Sequence, residues 1–264
     1  MSTLTLTLLQ ADILWENKAA NLARFEEKLN NLAQKTEIVV LPEMFNTGFS
    51  MRPEILAETM EDETVAWMRK MAATKKIILT GSLMIGTGGQ YFNRLVWMLP
   101  NGQHGCYDKR HLFGYGEEDQ HYAPGGKRLI ASVKGWRVNL QVCYDLRFPV
   151  WARNHLDQEG LAEYDALIYV ANWPERRSNA WRSLLVARAI ENQCYVIGVN
   201  RVGVDGKDIA YAGDSMVIDP LGEILYRGPA TEEMQTVTLD GDHLSGVRSK
   251  YPFLRDADRF SISV

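Results

Sequence analysis

VNLQVCYDLRFPVWARN, residues 138–154, runs an alternating Val138, Leu140 and Val142 directly into Cys143-Tyr144-Asp145, then sets Pro149 ahead of Val150, Trp151 and Ala152. The alternation predicts a strand and the proline predicts the opening of a helix. A side chain on such a seam is exposed at the end of a sheet. The N–H groups that follow are free, because the first turn of a helix leaves its donors unpaired. Cys143 with the backbone N–H of Tyr144 is therefore half of an acyl-transfer site, a nucleophile beside an oxyanion donor. For a cysteine taken alone, the commoner role is a small buried hydrophobe that ends a strand.

Outward from this seam the same grammar repeats. EIVVL (37–41) and DALIYVA (165–171) are short apolar runs of the kind buried in an α/β sheet. Residues 18–35 place Leu22, Phe25, Leu29 and Leu32 at helical spacing, and 54–75 and 178–193 carry similar apolar faces. With the strands between Pro- and Gly-marked turns, the pattern predicts ten to twelve strands alternating with two pairs of helices in two similar layers. No linker composition interrupts it, so one domain over 1–264 is expected. The stretch from about 243 to 264, with Tyr251, Pro252 and Phe253, lacks a clear period and reads as a C-terminal packing arm and a dimer element.

Composition excludes several classes of function. Hydrophobic content of 46% and charged content of 23% are those of a soluble globular protein. A net charge of −4 without Lys/Arg runs argues against a nucleic-acid partner. MSTLTLTLLQAD alternates as a first strand rather than a signal peptide, and no apolar run reaches the ~18 residues of a membrane span. Cys106, Cys143 and Cys194 are an odd count without paired spacing, which fits a reduced, cytoplasmic protein. Cys-x-x-Cys and His-Glu-x-x-His are both missing and the histidines are scattered, so no metal and no cofactor is expected.

Two further residues stand at comparable strand ends: Glu43 after EIVVLP and Lys109 after CYD. Convergent on one sheet edge, Glu43 could take the Cys143 proton as general base. Lys109 could stabilise thiolate and oxyanion and is expected to lower the thiol pKa. Each alone is more often a solvated charge.

LPEMF (41–45), YDKRHLF (107–113) and VCYDLRFP (142–149) resemble, in order, the three signature stretches of the nitrilase, or carbon–nitrogen hydrolase, superfamily. The similarity continues through residues 171–203 and 213–225 and covers essentially the whole chain. PEMFNTGF, KRHLF, CYDLRFP and YVANWPERRS together look most like the bacterial ω-amidase branch. This resemblance implies an α/β, four-layer α-β-β-α sandwich that commonly dimerises, with Glu43 as base, Lys109 as oxyanion stabiliser and Cys143 as nucleophile. It also implies a second glutamate seven residues before a turn glycine, a spacing met by Glu118 and Gly125. Glu118 is assigned a supporting role, holding Lys109 or the substrate amide, while Glu117 is read as a solvated charge.

The implied reaction is hydrolysis of the terminal amide of short 2-oxo dicarboxylate monoamides of the 2-oxoglutaramate type through a cysteine thioester. A substrate carboxylate calls for an arginine fork. Arg177 ranks first, ahead of Arg147, Arg176 and Arg201; Arg147 could instead tie the nucleophile turn to the sheet. Trp173 is a candidate pocket wall, with Phe45 and Tyr115 weaker ones. Cys106 and Cys194 fall within strands and read as structural. The alternatives are another amidase of the superfamily, acting on a deaminated peptide, carbamoyl amine or aliphatic amide, and, more distantly, a non-enzymatic reactive-thiol protein.

Overall fold

The structure is a computed structural model and describes residues 2–263. Its first half runs β1 (Leu4–Gln10), α1 (Lys18–Asn30), β2 (Ile38–Val40), α2 (Pro53–Leu56), α3 (Glu63–Lys75), β3 (Ile78–Thr87), β4 (Gln90–Met98), β5 (His104–Asp108) and the single turn α4 (Glu118–His121). The second half runs β6 (Leu129–Val133), β7 (Trp136–Val142), α5 (Pro149–Ala152), β8 (Ala166–Ala171), α6 (Ser178–Asn192) and β9 (Tyr195–Asn200). It closes with β10 (Val202–Val204), β11 (Ala210–Ala212), β12 (Met216–Ile218), β13 (Ile224–Arg227), β14 (Glu233–Leu239) and α7 (Gly241–Lys250).

Two six-stranded mixed sheets form, in the orders β14-β1-β2-β3-β4-β5 and β13-β12-β9-β8-β7-β6, with β10-β11 as a separate hairpin. Each has a parallel core, β1-β2-β3 in one and β7-β8-β9 in the other. Strands buried on both faces explain why their sequences are continuous apolar runs. Leu6, Leu8, Ile38 and Val40 of the first sheet pack against Val138, Leu140, Val142, Ile168 and Val170 of the second. Outside, α1 and α3 cover the first sheet through Leu22, Phe25, Leu29, Val65 and Met68. Helix α6 covers the second through Trp181, Leu185 and Ala189. The layers are α-β-β-α, as expected. Asn17 caps α1 by accepting from the Ala20 N–H, and each of that helix's buried large apolar side chains contributes roughly 1.5–3 kcal/mol.

Three expectations change. The helix predicted over 54–75 is broken, because Ala57 turns extended and Glu58 pairs with Ile85 at the margin of β3. There are fourteen strands among the described residues, since short pieces such as β10 and β11 pair into a hairpin that periodicity does not resolve. The supposed C-terminal arm opens with α7, a helix capped by Asp240 and seated by buried Leu244 and Val247. Arg248 pins it to Asp165 at 2.7 Å, just before β8. Among the described residues no helix is long and apolar enough to cross a membrane.

Candidate active site

Four strand ends supply the site. Glu43 lies three residues past β2, Lys109 directly follows β5, Cys143 directly follows β7 and Asn172 directly follows β8. Cys143 and Met44, the residue after Glu43, both have φ of 44°, a left-handed conformation that costs non-glycine residues about 1–3 kcal/mol and gathers where geometry serves a site. After Cys143 the chain makes a 3-10 turn, Cys143–Arg147, and then only the four-residue α5. The helix predicted to open at Pro149 does so, though it is only one turn long, and the tight turn before it leaves the Tyr144 N–H outside its own hydrogen bonds.

Glu43, Lys109 and Glu118 form a wholly buried ionic cluster. Lys109 Nζ donates to Glu43 Oε1 at 2.9 Å and to Glu118 Oε2 and Oε1 at 2.8 and 3.0 Å. Asn93 Nδ2 donates to Glu43 Oε1 at 2.8 Å and to Glu118 Oε1 at 3.1 Å. The Asn172 N–H donates to Glu43 Oε2 at 2.8 Å and the Phe113 N–H to Glu118 Oε2 at 2.7 Å. Buried charges cost several kcal/mol each unless so satisfied, and such clusters are poor devices for stability. Their retention in a cleft marks a functional site.

Burial alone would push the Lys109 ammonium down, but Glu118 and then Glu43 outweigh it and hold it above its ordinary range. Burial raises the Glu118 carboxyl, against the pull of Lys109. The Cys143 thiol is pushed well above its usual value by enclosure first and by the Glu43 carboxylate second, with Lys109 only partly offsetting them. The net shift is upward even though, as expected, Lys109 pulls the thiol down. Its charge is already balanced by two carboxylates, so the resting sulfur keeps its proton beside a base.

Cys143, Glu43 and Lys109 face a pocket of about 200 Å³, below the ~300–1,000 Å³ of drug-sized ligand sites. Phe49, Phe113, Tyr144, Trp173 and Tyr211 give it aromatic walls. Arg147, Arg176 and Arg177 also line it. Arg147 lies 5.0 Å from the Trp173 ring centroid and Arg177 5.1 Å from that of Phe113. Among the described residues none of the three has a carboxylate partner. Burial first, then neighbouring Arg176, holds the Arg177 guanidinium below its ordinary range. Such a pocket favours an anion.

Two other sequence candidates turn away. Arg201 is wholly buried, donates to Asp12 and to the Ile13 carbonyl, and lies 4.6 Å from the Tyr211 ring centroid without lining the pocket itself. Phe45 packs in the helix–sheet core against Phe25 and Trp67. Tyr115 and exposed Glu117 sit at the pocket mouth. Cys106 is half-buried within β5 and Cys194 is buried just before β9. Sequence reasoning missed Asn93, Asn172 and Asp145. Asn172 stands after a buried strand just as Cys143 does, and that signal could have found it. Asn93 carried only the weaker hint of a polar residue within a half-buried strand.

Comparison with known proteins adds three findings. The carbon–nitrogen hydrolase family model matches residues 5–248. The chain is 43% identical to the omega-amidase YafV of Escherichia coli K12, covering 99% of this chain and 100% of that one, and 30% identical to the 2-oxoglutaramate amidase of Bacillus subtilis, covering 96% of each. Its fold superimposes on XC1258 of Xanthomonas campestris, a CN-hydrolase superfamily protein solved with an arsenic adduct in its active site, with a TM-score of 0.97, 45% identity and full coverage of both chains.

Proposed function

The chain belongs to the carbon–nitrogen hydrolase family, and on that premise we propose that it is an ω-amidase, releasing ammonia from the terminal amide of short 2-oxo dicarboxylate monoamides such as 2-oxoglutaramate. The observation that carries this reading is one carboxylate, Glu43, held by Lys109 at 2.9 Å and acting on the Cys143 thiol, beside arginines that have no carboxylate partner among the described residues. The two similarities at 43% and 30% identity support the same substrate class.

In the first half-reaction Glu43 takes the thiol proton as Cys143 Sγ attacks the amide carbon. The oxyanion rests between the Lys109 ammonium and the Tyr144 N–H. Glu43 returns the proton to the amide nitrogen, the C–N bond breaks and ammonia leaves a thioester. In the second half Glu43 deprotonates a water that attacks the thioester carbon, yielding the acid and the free thiol. Because the resting thiol is neutral, attack and proton transfer are coupled. Glu118 keeps Lys109 charged and in place. Arg177, with Arg147 beside it over Trp173, receives the substrate carboxylate. The cycle calls on no cofactor or metal.

We place the protein in the cytoplasm on its three free cysteines and assign it a homodimer or higher homo-oligomer. Exposed Ile190 on α6 lies beside Gly222, next to exposed Leu221, Ile224 and Leu225, an apolar surface suited to a second copy; light scattering tests it. Ammonia release from 2-oxoglutaramate and from a neutral aliphatic amide of similar length tests the substrate class. A clear preference for the former is expected, and equal rates would remove the ω-amidase assignment while leaving amide hydrolysis standing.

A further inference from the structure

The two sheets meet through apolar side chains, and apolar contact is non-directional. It cannot by itself set Lys109, which follows β5 of one sheet, against Cys143, which follows β7 of the other. Directional bonds must do so, and Asp145 makes a set that joins these two segments. It is wholly buried and stands two residues past the nucleophile. Its Oδ2 accepts from the Val142 N–H at 3.0 Å, on the residue before Cys143, and from Tyr107 Oη at 2.7 Å. Its Oδ1 accepts from the His111 N–H at 2.9 Å and lies 2.8 Å from His111 Nδ1. Tyr107 and His111 flank Lys109 by two residues on either side. The bridge is backed by Trp151, whose Nε1 donates to Tyr107 Oη at 3.0 Å, and by Phe148, whose ring stacks on His111 at 3.9 Å.

We propose that Asp145 is the positioning residue of this site: one carboxylate that holds the nucleophile turn and both flanks of Lys109 in a single register across the two sheets. It touches neither substrate nor reacting atoms. The proposal rests on the amidase reading above. Reacting groups misplaced by about 1 Å lose on the order of a hundredfold in rate, so loosening the bridge lowers turnover more than binding.

Asp145→Asn keeps the shape and removes one acceptor oxygen, and Tyr107→Phe removes one arm alone. With folding checked by melting temperature, Asp145→Asn is expected to lower kcat at least about tenfold with KM within about threefold. Tyr107→Phe should lower it by about threefold or more, and the double variant should be no worse than Asp145→Asn, since both act through one bridge. A folded Asp145→Asn that keeps kcat, a change in KM alone, or effects that multiply in the double variant would overturn the proposal. If Asp145→Asn does not fold, an unchanged kcat in Tyr107→Phe overturns it. Alkylation of Cys143 by iodoacetamide, followed on its peptide by mass spectrometry, reads the same register without any substrate. Glu43→Gln should change that rate in the parent protein and change it less in an Asp145→Asn background; an undiminished change overturns the positioning role. Failure of Glu43→Gln to alter ammonia release in the parent would instead remove the reading of the reaction itself.

Discussion

Lys109 Nζ lies 2.9 Å from Glu43 Oε1 with neither side chain exposed to solvent, and the same ammonium reaches Glu118 at 2.8 Å. One cation thus serves two buried carboxylates, and each of them depends on it. Replacing Lys109 by Met leaves two uncompensated negative charges in the interior. It is expected to cost about 3–5 kcal/mol of stability together with turnover. Adding Glu118→Gln should return part of the stability and none of the activity, which urea denaturation and ammonia release measure separately.

Glu43→Gln preserves the shape of the site and removes its proposed base. Because the thiol is held in its neutral form, turnover should fall by about 10²–10⁴-fold with the fold intact. Activity within tenfold of the parent would assign proton transfer to another group.

The raised thiol pKa of Cys143 has a stability consequence whose sign follows from linkage. A group that holds its proton more tightly when folded stabilises the native state below its unfolded pKa, ~8.5 for a thiol, and loses that contribution as pH rises towards the folded value. Cys143→Ala lacks the titration. The stability of the parent relative to Cys143→Ala should therefore fall between pH 7 and pH 10, by at most about 1.4 kcal/mol per pH unit above the thiol value. A constant difference in urea melts across that range would contradict the buried, neutral thiol.

Arg177→Met removes a guanidinium that has a ring beneath it and, among the described residues, no carboxylate partner. KM for 2-oxoglutaramate should rise by about tenfold or more, since a charged hydrogen bond contributes about 1.5–3 kcal/mol. KM for a neutral aliphatic amide should scarcely move. Equal effects on both substrates would shift the carboxylate contact to Arg147.

Gly125→Ala tests the wall behind Lys109. A Cβ there would stand 2.1 Å from the Asp108 carbonyl oxygen, and the Gly125 N–H donates to the Lys109 carbonyl at 2.9 Å. Backbone cannot yield as a flexible side chain does, so the loop must move away from Lys109. Loss of both stability and kcat is expected, with the melting temperature and the ammonia assay as readouts.

Much of this architecture is legible in the chain. The alternation before Cys143 and the apolar runs before Glu43 and Asn172 became β7, β2 and β8, because strands buried on both faces must carry such residues. The boundary errors have local causes: a single extended residue, Ala57, ends one helix early, and a capped helix occupies the terminal stretch read as an arm. The choice among the arginines was not legible. Arg177 and Arg201 look alike in sequence, yet one lines the pocket and the other is spent on Asp12 behind its wall.

The sequence by itself determined which residues end strands and which chemistry they carry, since local periodicity records burial and strand ends lie at sheet edges. Only the tertiary structure decided who meets whom. Glu43 takes Lys109 from 66 residues away and Asn172 from 129, and Asp145 joins two sheets that share no strand pairing. These contacts, and the neutral thiol they produce, depend on how two apolar faces stack. Hydrophobic pattern brings such faces together, and specific hydrogen bonds set their register.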